Sequence, residues 1–238
     1  MTDLNKTPRL LLLIDLMAGL AVLIAFLLVM LYAPIELIMG RVQKVFYFHV
    51  AASWSGMLGF LVATVAAIAY LKTSDMRWDI ASLAGVEIGM VFIALGIVSG
   101  SIWARPVWNT WWTWDPRLTT TLIMELIYSA YLLLRGGVDD PARRAKLSAV
   151  YAIVGFTSVP LTFISIRVFR TIHPVLVASS DPALGTFAMS PRMLAAFFGS
   201  LAAFTLLFVA LYWHRYRLGS AQSELMQKRM ELEAGGEQ

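Results

Sequence analysis

The chain consists largely of long apolar runs separated by short polar links. A helix needs about 20 apolar residues to cross the roughly 30 Å of hydrocarbon in a membrane, and six runs have about that length. The pattern predicts an all-α integral membrane protein, a bundle of six transmembrane helices that forms a single membrane domain, residues 1–238. The predicted helices cover about residues 10–32, 48–71, 80–102, 118–135, 147–165 and 192–213, and a polar tail follows at 214–238.

Few polar or small residues interrupt the apolar runs, and those that do predict contacts inside the bundle. Carboxylates within membrane helices are costly to bury, so Asp15, Glu87 and Glu125 are candidates either for ion pairs or for a functional role. We favour a structural role for Asp15, and the roles of the other two stay open. The third helix carries glycines four residues apart at 85–89 and again at 96–100, which predicts that its backbone approaches a neighbouring helix closely.

Positive charges in the links set the orientation of the bundle. With the N-terminus inside, twelve of the 19 Lys and Arg residues lie inside and seven outside, so the positive-inside rule places both termini in the cytoplasm. Links that follow odd-numbered helices then share the outer side of the membrane. His49, the tryptophan-rich outer loop between helices three and four, and His173 therefore face outward, whereas His214 lies on the cytoplasmic side.

Composition narrows the chemistry that the chain can support. Hydrophobic residues make up 59% of it and charged residues 14%, compared with about 25% charged residues in soluble proteins. The net charge of +4 is spread over the links, so it reflects membrane topology rather than nucleic-acid binding. The absence of cysteine excludes disulfides, thiolate metal sites and covalent haem attachment of the C-x-x-C-H kind. Any bound metal must therefore rest on histidine.

Five of the eight tryptophans lie within residues 103–114, and we call residues 103–120 the tryptophan segment. Trp108, Trp111 and Trp112 are spaced i, i+3 and i+4, so a single helical turn would place three indoles on one face as a shelf for a flat ligand. The alternative is an ordinary aromatic belt at the membrane interface, which does not require so dense a cluster. Asp115 and Pro116 predict a capped helix start near the end of the segment.

Two histidines and several arginines flank the tryptophan segment on the predicted outer side. His49 lies at the start of the second predicted helix, and His173 precedes a proline that disfavours helical geometry, so both rings can project into a cleft. Neutral imidazole is a common ligand of haem iron. Guanidinium groups that can pair with ligand carboxylates belong to Arg105, Arg117, Arg167 and Arg170. We call these four arginines the cationic fringe. The indole shelf matches the porphyrin of haem, the cationic fringe matches its propionates, and the two histidines match its iron.

Residues 108–119 read Trp-Asn-Thr-Trp-Trp-Thr-Trp-Asp-Pro-Arg-Leu-Thr, which resembles the WWD signature of haem-handling membrane proteins. Over essentially the whole chain, the sequence is similar to the CcmC family, the haem-delivery subunits of bacterial cytochrome c maturation. The resemblance implies haem b bound non-covalently and transiently at the outer face, with His49 and His173 as axial iron ligands. The implied haem-binding residues around them are Trp108, Trp111, Trp112, Trp114, Asp115, Arg117 and Arg105. The chain has Asn109 where the family usually has glycine.

The resemblance also implies a function and a set of partners. Members of the family pass haem to the membrane-anchored chaperone CcmE, and they assemble with the ATP-binding-cassette subunits CcmA and CcmB and the small membrane protein CcmD. On this basis we expect a haem-binding and haem-transfer protein of the bacterial inner membrane, with its haem site facing the periplasm. We expect it to act in c-type cytochrome biogenesis without enzymatic turnover.

Two other functions compete with haem delivery. The first is a permease subunit of an ABC-type exporter of haem or a small anion, with Glu87 and Glu125 along its path. The signs of such a path, interrupted helices and polar residues at the membrane midplane, are weak in the sequence. The second is a redox protein that passes electrons from haem b to a quinone, which would require histidines deeper in the membrane than His49 and His173 are predicted to lie.

Overall fold

Helices account for nearly all of the structure, as the apolar runs predict. The computed structural model describes residues 7–36, 39–174 and 189–235, and these residues contain no β-strand. The helices are α1 (Arg9–Leu27), α2 (Gln43–Thr73), α3 (Met76–Trp108), α4 (Pro116–Gly136), α5 (Pro141–Gly155), α6 (Ser158–Val168) and α7 (Pro191–Gly235). A π-helical turn, Leu28–Tyr32, directly extends α1. Lys6, which contributes to the inside charge count, and the last three residues of the tail lie outside the described residues.

Within the described residues, six helical segments are long and apolar enough to cross a membrane. They are Arg9–Tyr32, Gln43–Thr73, Met76–Trp108, Pro116–Gly136, Pro141–Val168 and Pro191–Ala234. This confirms the predicted bundle of six transmembrane helices. The fifth segment consists of α5 and α6, which are separated by a turn at Phe156 and Thr157. Pro160 accounts for this break, because a proline ring clashes with the carbonyl group four residues earlier, here that of Phe156.

The closest helix pair is formed by α2 and α3. A Cβ atom on Gly59 would lie 2.7 Å from the Cα atom of Gly89, and one on Gly85 would lie 2.8 Å from the carbonyl oxygen of Gly59. Glycine is therefore required at the crossing, and the close approach that the spacing of the α3 glycines predicts is confirmed. Around this pair, α7 packs against α1, α2 and α3, while α4 packs against α3, α5 and α6.

Two of the three carboxylates that interrupt the apolar runs pair with α7. Asp15 on α1 lies 3.0 Å from Nε2 of His214. Glu87 on α3 forms an ion pair with Arg215. These contacts fix α7 against α1 and α3, which agrees with the structural role favoured for Asp15. The Oε2 atom of Glu125 is buried and has no hydrogen-bond partner among the described residues.

The helices extend beyond their predicted limits, most clearly in α2, α3, α5 and α7. α5 begins at Pro141 rather than near residue 147, because the Asp140 side chain caps it by accepting a hydrogen bond from the Arg143 backbone N–H. α2 begins at Gln43 rather than near residue 48, because the buried Gln43 side chain forms a hydrogen bond within the helix. α3 continues past residue 102 to Trp108 with Pro106 inside it, since helices in membranes tolerate proline where other groups satisfy the freed backbone. α7 continues through the predicted tail to Gly235. The loop between α3 and α4 is therefore only 109–115.

Candidate functional site

The two histidines predicted as ligands meet at the end of the bundle that carries the tryptophan segment. The ring centroids of His49 and His173 are 6.5 Å apart, and the ring planes are inclined by 44°. Trp108 lies edge-on to His173 at a centroid distance of 6.5 Å. His214 is not part of this group, since it contacts Asp15 instead. Residues that are far apart in the sequence thus come together at one place.

His49 lies nearly two turns into α2, and α3 determines where its ring sits. Its Nδ1 atom is 2.8 Å from the carbonyl oxygen of Gly96. Because a carbonyl oxygen only accepts hydrogen bonds, Nδ1 carries the proton and the neutral ring presents an unprotonated Nε2. A Cβ atom on Gly100 would lie 2.8 Å from Cε1 of His49, so glycine at this position makes room for the ring.

His173 lies beyond the end of α6, in a segment without regular secondary structure. Its Nδ1 atom is 3.2 Å from the carbonyl oxygen of Pro174, which again leaves Nε2 unprotonated in the neutral ring. Burial is the largest cause that lowers the pKa of His173, and together with the nearby positive charge of Arg117 it brings the pKa to about 4. The ring is therefore neutral near pH 7, which is the form of imidazole that binds metals.

Two cavities adjoin the histidine pair, and His49, Trp103 and His173 line both of them. The tryptophan cavity has a volume of about 780 Å³, and its walls include Gly96, Gly100, Trp108, Trp111, Trp112 and Arg117. The methionine cavity has a volume of about 730 Å³, and its walls include Met39, Gln43, Phe46, Met189 and Met193. Both volumes include space that is open to solvent.

The tryptophans divide into a group at the cavity and one at the surface. Trp103 and Trp108 pack edge to face with their centroids 5.1 Å apart, and Trp111 and Trp112 complete the aromatic wall of the tryptophan cavity. Trp114 does not line either cavity. It is 75% exposed and stands edge-on to Trp112 at 6.0 Å. The segment therefore presents aromatic surface both to the cavity and to the exterior.

The predicted helical shelf of three indoles is wrong in its backbone geometry. α3 ends at Trp108, and Asn109 adopts the left-handed conformation with φ 56° and ψ 22°. Asparagine tolerates this conformation better than most residues that carry a side chain. Trp111 and Trp112 consequently lie on a loop, where the Ser101 hydroxyl donates to the carbonyl oxygen of Trp111 at 2.7 Å.

The four arginines predicted to form a cationic fringe occupy different positions. Arg117 lines the tryptophan cavity, and its guanidinium group donates to the carbonyl oxygen of Thr162 at 2.9 Å. Arg105 braces the loop by donating to the carbonyl and side-chain oxygens of Asn109, at 2.8 and 2.6 Å. Arg105, Arg167 and Arg170 are all exposed. Arg117 is therefore the member that adjoins the histidine pair.

Asp115 caps α4 and also reaches across to the segment before His173. Its side chain accepts a hydrogen bond from the Arg117 backbone N–H at 2.9 Å, as the predicted capped helix start requires. The same carboxylate accepts from the Thr171 hydroxyl at 2.8 Å and from the Ile172 backbone N–H at 2.9 Å. Asp115 lies outside both cavities. Nothing in the local sequence indicates these contacts, because their partners are more than fifty residues away.

Comparison with known proteins identifies the family. A family model described as "CcmC: Heme exporter protein C" matches residues 3–231. The chain belongs to the CcmC family. It is 32% identical over 198 residues to heme exporter protein C of Bradyrhizobium diazoefficiens, a match that covers 83% of this chain and 72% of the relative. Over 189 residues it is 31% identical to heme exporter protein C of Rhodobacter capsulatus, with 78% and 76% covered.

A mitochondrial relative is similar over a shorter stretch. The putative cytochrome c biosynthesis ccmC-like mitochondrial protein of Marchantia polymorpha is 27% identical over 141 residues, which cover 59% of each chain. The family model and the bacterial relatives confirm the resemblance to the CcmC family that residues 108–119 indicate.

Two features of the site do not follow from the CcmC signature. The methionine cavity is assembled from Met39 and Met189, which lie in two separate links, and from Met193 at the start of α7, and no local pattern joins them. Gly96 and Gly100 predict helix packing by their spacing, but their contacts with the imidazole depend on which helix packs there. Both features are products of the tertiary structure.

Proposed function

We propose that this CcmC-family protein binds haem b non-covalently and transiently, with His49 and His173 as axial ligands of the iron, and delivers it to the haem chaperone CcmE in c-type cytochrome biogenesis. The observation that carries the proposal is the 6.5 Å separation of the two ring centroids. Two metal–nitrogen bonds of about 2 Å each, with a ring radius of about 1 Å at each end, give a separation of about 6 Å. The spacing therefore suits one iron atom between the rings.

The hydrogen bonds of the two rings support the same role. In both, Nδ1 faces a backbone carbonyl oxygen, of Gly96 for His49 and of Pro174 for His173. Such bonds fix the tautomer and the orientation of histidines that bind metals through Nε2. This arrangement prepares two neutral donors before a metal arrives.

The set of protein donors favours a metal that brings its own ligands. Among the described residues, no group of three or more His, Cys, Asp or Glu side chains is placed to hold a metal ion. Haem supplies its equatorial nitrogens and needs only axial ligands from the protein. Because the chain contains no cysteine, thioether attachment is not possible, which supports non-covalent binding.

The cavities beside the histidines suit a flat, largely apolar ring with acidic groups at its edge. Indole rings line the tryptophan cavity, and flexible methionines that adapt to irregular shapes line the methionine cavity. Arg117 offers a guanidinium group within the tryptophan cavity, where it can pair with a propionate.

We further propose that the haem site faces the periplasm from the bacterial inner membrane. Lys and Arg residues are more numerous in the links at the opposite end of the bundle, which supports a cytoplasmic position for that end. The exposed Trp114, together with Trp111, which is 57% exposed, offers an aromatic surface to a chaperone beside the cavity. Assembly with CcmA, CcmB and CcmD is proposed from the family resemblance. The protein then acts by binding and transfer rather than as an enzyme.

A permease subunit of an ABC-type exporter is the second candidate, because the bacterial relatives are named heme exporter protein C. That function needs a polar path through the bundle. Glu87, one of the two carboxylates on which such a path would depend, pairs with Arg215 and secures α7. The histidine site has no evident role in this alternative, and the two candidates therefore predict different effects of histidine substitution.

Loading of the chaperone tests the proposal. Haem bound covalently to CcmE is measured in cells that produce the wild type, His49→Ala, His173→Ala or His214→Ala. We expect the first two substitutions to abolish loading and His214→Ala to leave it unchanged, because His214 contacts Asp15 away from the site. Unimpaired loading by both site variants would contradict haem delivery through these residues. Haem accumulation inside proteoliposomes that is independent of both histidines would instead favour the permease.

A further inference from the structure

The carboxylate of Asp115 joins two parts of the chain that both adjoin the histidine site. On one side it accepts a hydrogen bond from the Arg117 backbone N–H at the start of α4. On the other side it accepts from the Ile172 backbone N–H at 2.9 Å and from the Thr171 hydroxyl, which is 2.8 Å from both carboxylate oxygens. Asp115 is only 8% exposed, so these charge-assisted bonds form with little competition from water.

The bonds continue from Asp115 to His173 through Thr171. The backbone N–H of His173 donates to the Thr171 hydroxyl oxygen at 3.0 Å. From the end of α6 at Val168 to His173 the backbone has no regular secondary structure. No helix therefore fixes the position of the His173 imidazole. The contacts with Asp115 instead anchor the two residues immediately before His173.

We propose that Asp115 is a positioning residue that holds residues 171–173 so that the imidazole of His173 faces His49. The inference rests on the proposed function, since it takes His173 as an iron ligand. Asp115 itself is not a ligand and lies outside both cavities. Because the same carboxylate caps α4 at the end of the loop 109–115, one side chain connects the tryptophan segment to the residues before His173.

Four single substitutions separate the positioning role from the helix cap. Thr171→Val removes the hydroxyl and leaves the cap of α4 intact. Asp115→Ser retains a good capping residue but is too short to reach Thr171 and Ile172. Thr171→Ser keeps the hydroxyl and is the conservative variant. Thr157→Val is the matched control, since that hydroxyl donates to the carbonyl oxygen of Val154 at the junction of α5 and α6.

The test is a haem titration of each purified full-length variant in detergent, followed by the absorption spectrum of the ferric form with and without added imidazole. We expect Thr171→Val and Asp115→Ser to lower haem affinity about 10- to 100-fold, as the loss of a residue that orients a ligand does. They should also convert six-coordinate low-spin haem to a five-coordinate form, and imidazole should restore the low-spin spectrum. Thr171→Ser and Thr157→Val should match the wild type.

Two kinds of failure are distinguishable. If His173→Ala loses the low-spin spectrum while Thr171→Val and Asp115→Ser keep both the spectrum and the affinity of the wild type, the positioning role is overturned, even if those variants unfold more easily. If His173→Ala has the spectrum of the wild type, or if the wild type binds no haem, the ligand assignment fails and the positioning role falls with it.

Discussion

A Cβ atom on Gly100 would lie 2.8 Å from Cε1 of His49, so α3 provides the space in which the imidazole of α2 sits. Four residues earlier, the carbonyl oxygen of Gly96 accepts the hydrogen bond from Nδ1 of the same ring. α3 therefore determines both the space available to the His49 ring and the orientation of that ring, although His49 itself belongs to α2. The contact links helix packing directly to the chemistry of the site.

The first prediction concerns this contact. Gly100→Ala should displace the His49 ring and lower haem affinity about tenfold or more, as the loss of ligand orientation does at metal sites. Haem titration in detergent, followed by absorbance, measures the effect. Gly19→Ala is the matched control, because a Cβ atom there meets nothing within 4 Å. Equal haem affinity for the Gly100 variant and the wild type would disprove the proposed seating of His49.

The second prediction separates the two groups of tryptophans. Trp108→Leu should weaken haem binding, because Trp108 lines the tryptophan cavity and contacts the ring of His173. Trp114→Leu should leave haem affinity unchanged and reduce the loading of CcmE, because its side chain is exposed and outside both cavities. The same titration and the chaperone-loading assay distinguish the two outcomes. Equal effects of both substitutions on haem affinity would contradict this division.

The third prediction concerns the stability of the bundle away from the site. Arg135 donates to both carboxylate oxygens of Asp79, at 2.6 and 2.8 Å, and both side chains are nearly buried. Asp79→Ala leaves a buried guanidinium group without its partner, which should cost about 3–5 kcal/mol of unfolding free energy. Thermal unfolding in detergent measures the loss, and Asp79→Leu combined with Arg135→Leu should recover much of it.

Arg77→Ala is the control for that prediction, because it removes an exposed ion pair between Arg77 and Asp75 at the start of α3, the helix that also carries Asp79. Exposed pairs contribute little, so the melting temperature should barely change. A large drop in melting temperature for Arg77→Ala, or no drop for Asp79→Ala, would show that burial does not determine how much these ion pairs stabilise the protein.

The sequence was sufficient to predict the six membrane helices and the convergence of the two histidines. Helix number follows from apolar run length, which is a local property. The shared side of His49 and His173 follows from the order of the spans, and their ring contact agrees with it. The helix start at Asp115 was also predictable, because a cap acts on the next few residues.

Features that depend on contacts between distant residues could not be predicted. The hydrogen bonds that Asp115 accepts from Thr171 and Ile172 connect residues more than fifty positions apart. The end of α3 at Trp108 was missed because Pro106, which ordinarily limits a helix, is accommodated within this one. The position of Trp111 and Trp112 relative to Trp108 depends on the left-handed conformation of Asn109, and the spacing of tryptophans alone does not reveal it.

The most direct test of the central claim is the absorption spectrum of the purified protein, oxidised and reduced, compared with that of the His49→Ala and His173→Ala double variant. The account predicts a six-coordinate, low-spin haem spectrum for the wild type and its loss in the double variant. His214→Ala should retain the wild-type spectrum. A six-coordinate haem that persists in the double variant, or a wild type that takes up no haem on titration, would contradict a haem site built on these two histidines.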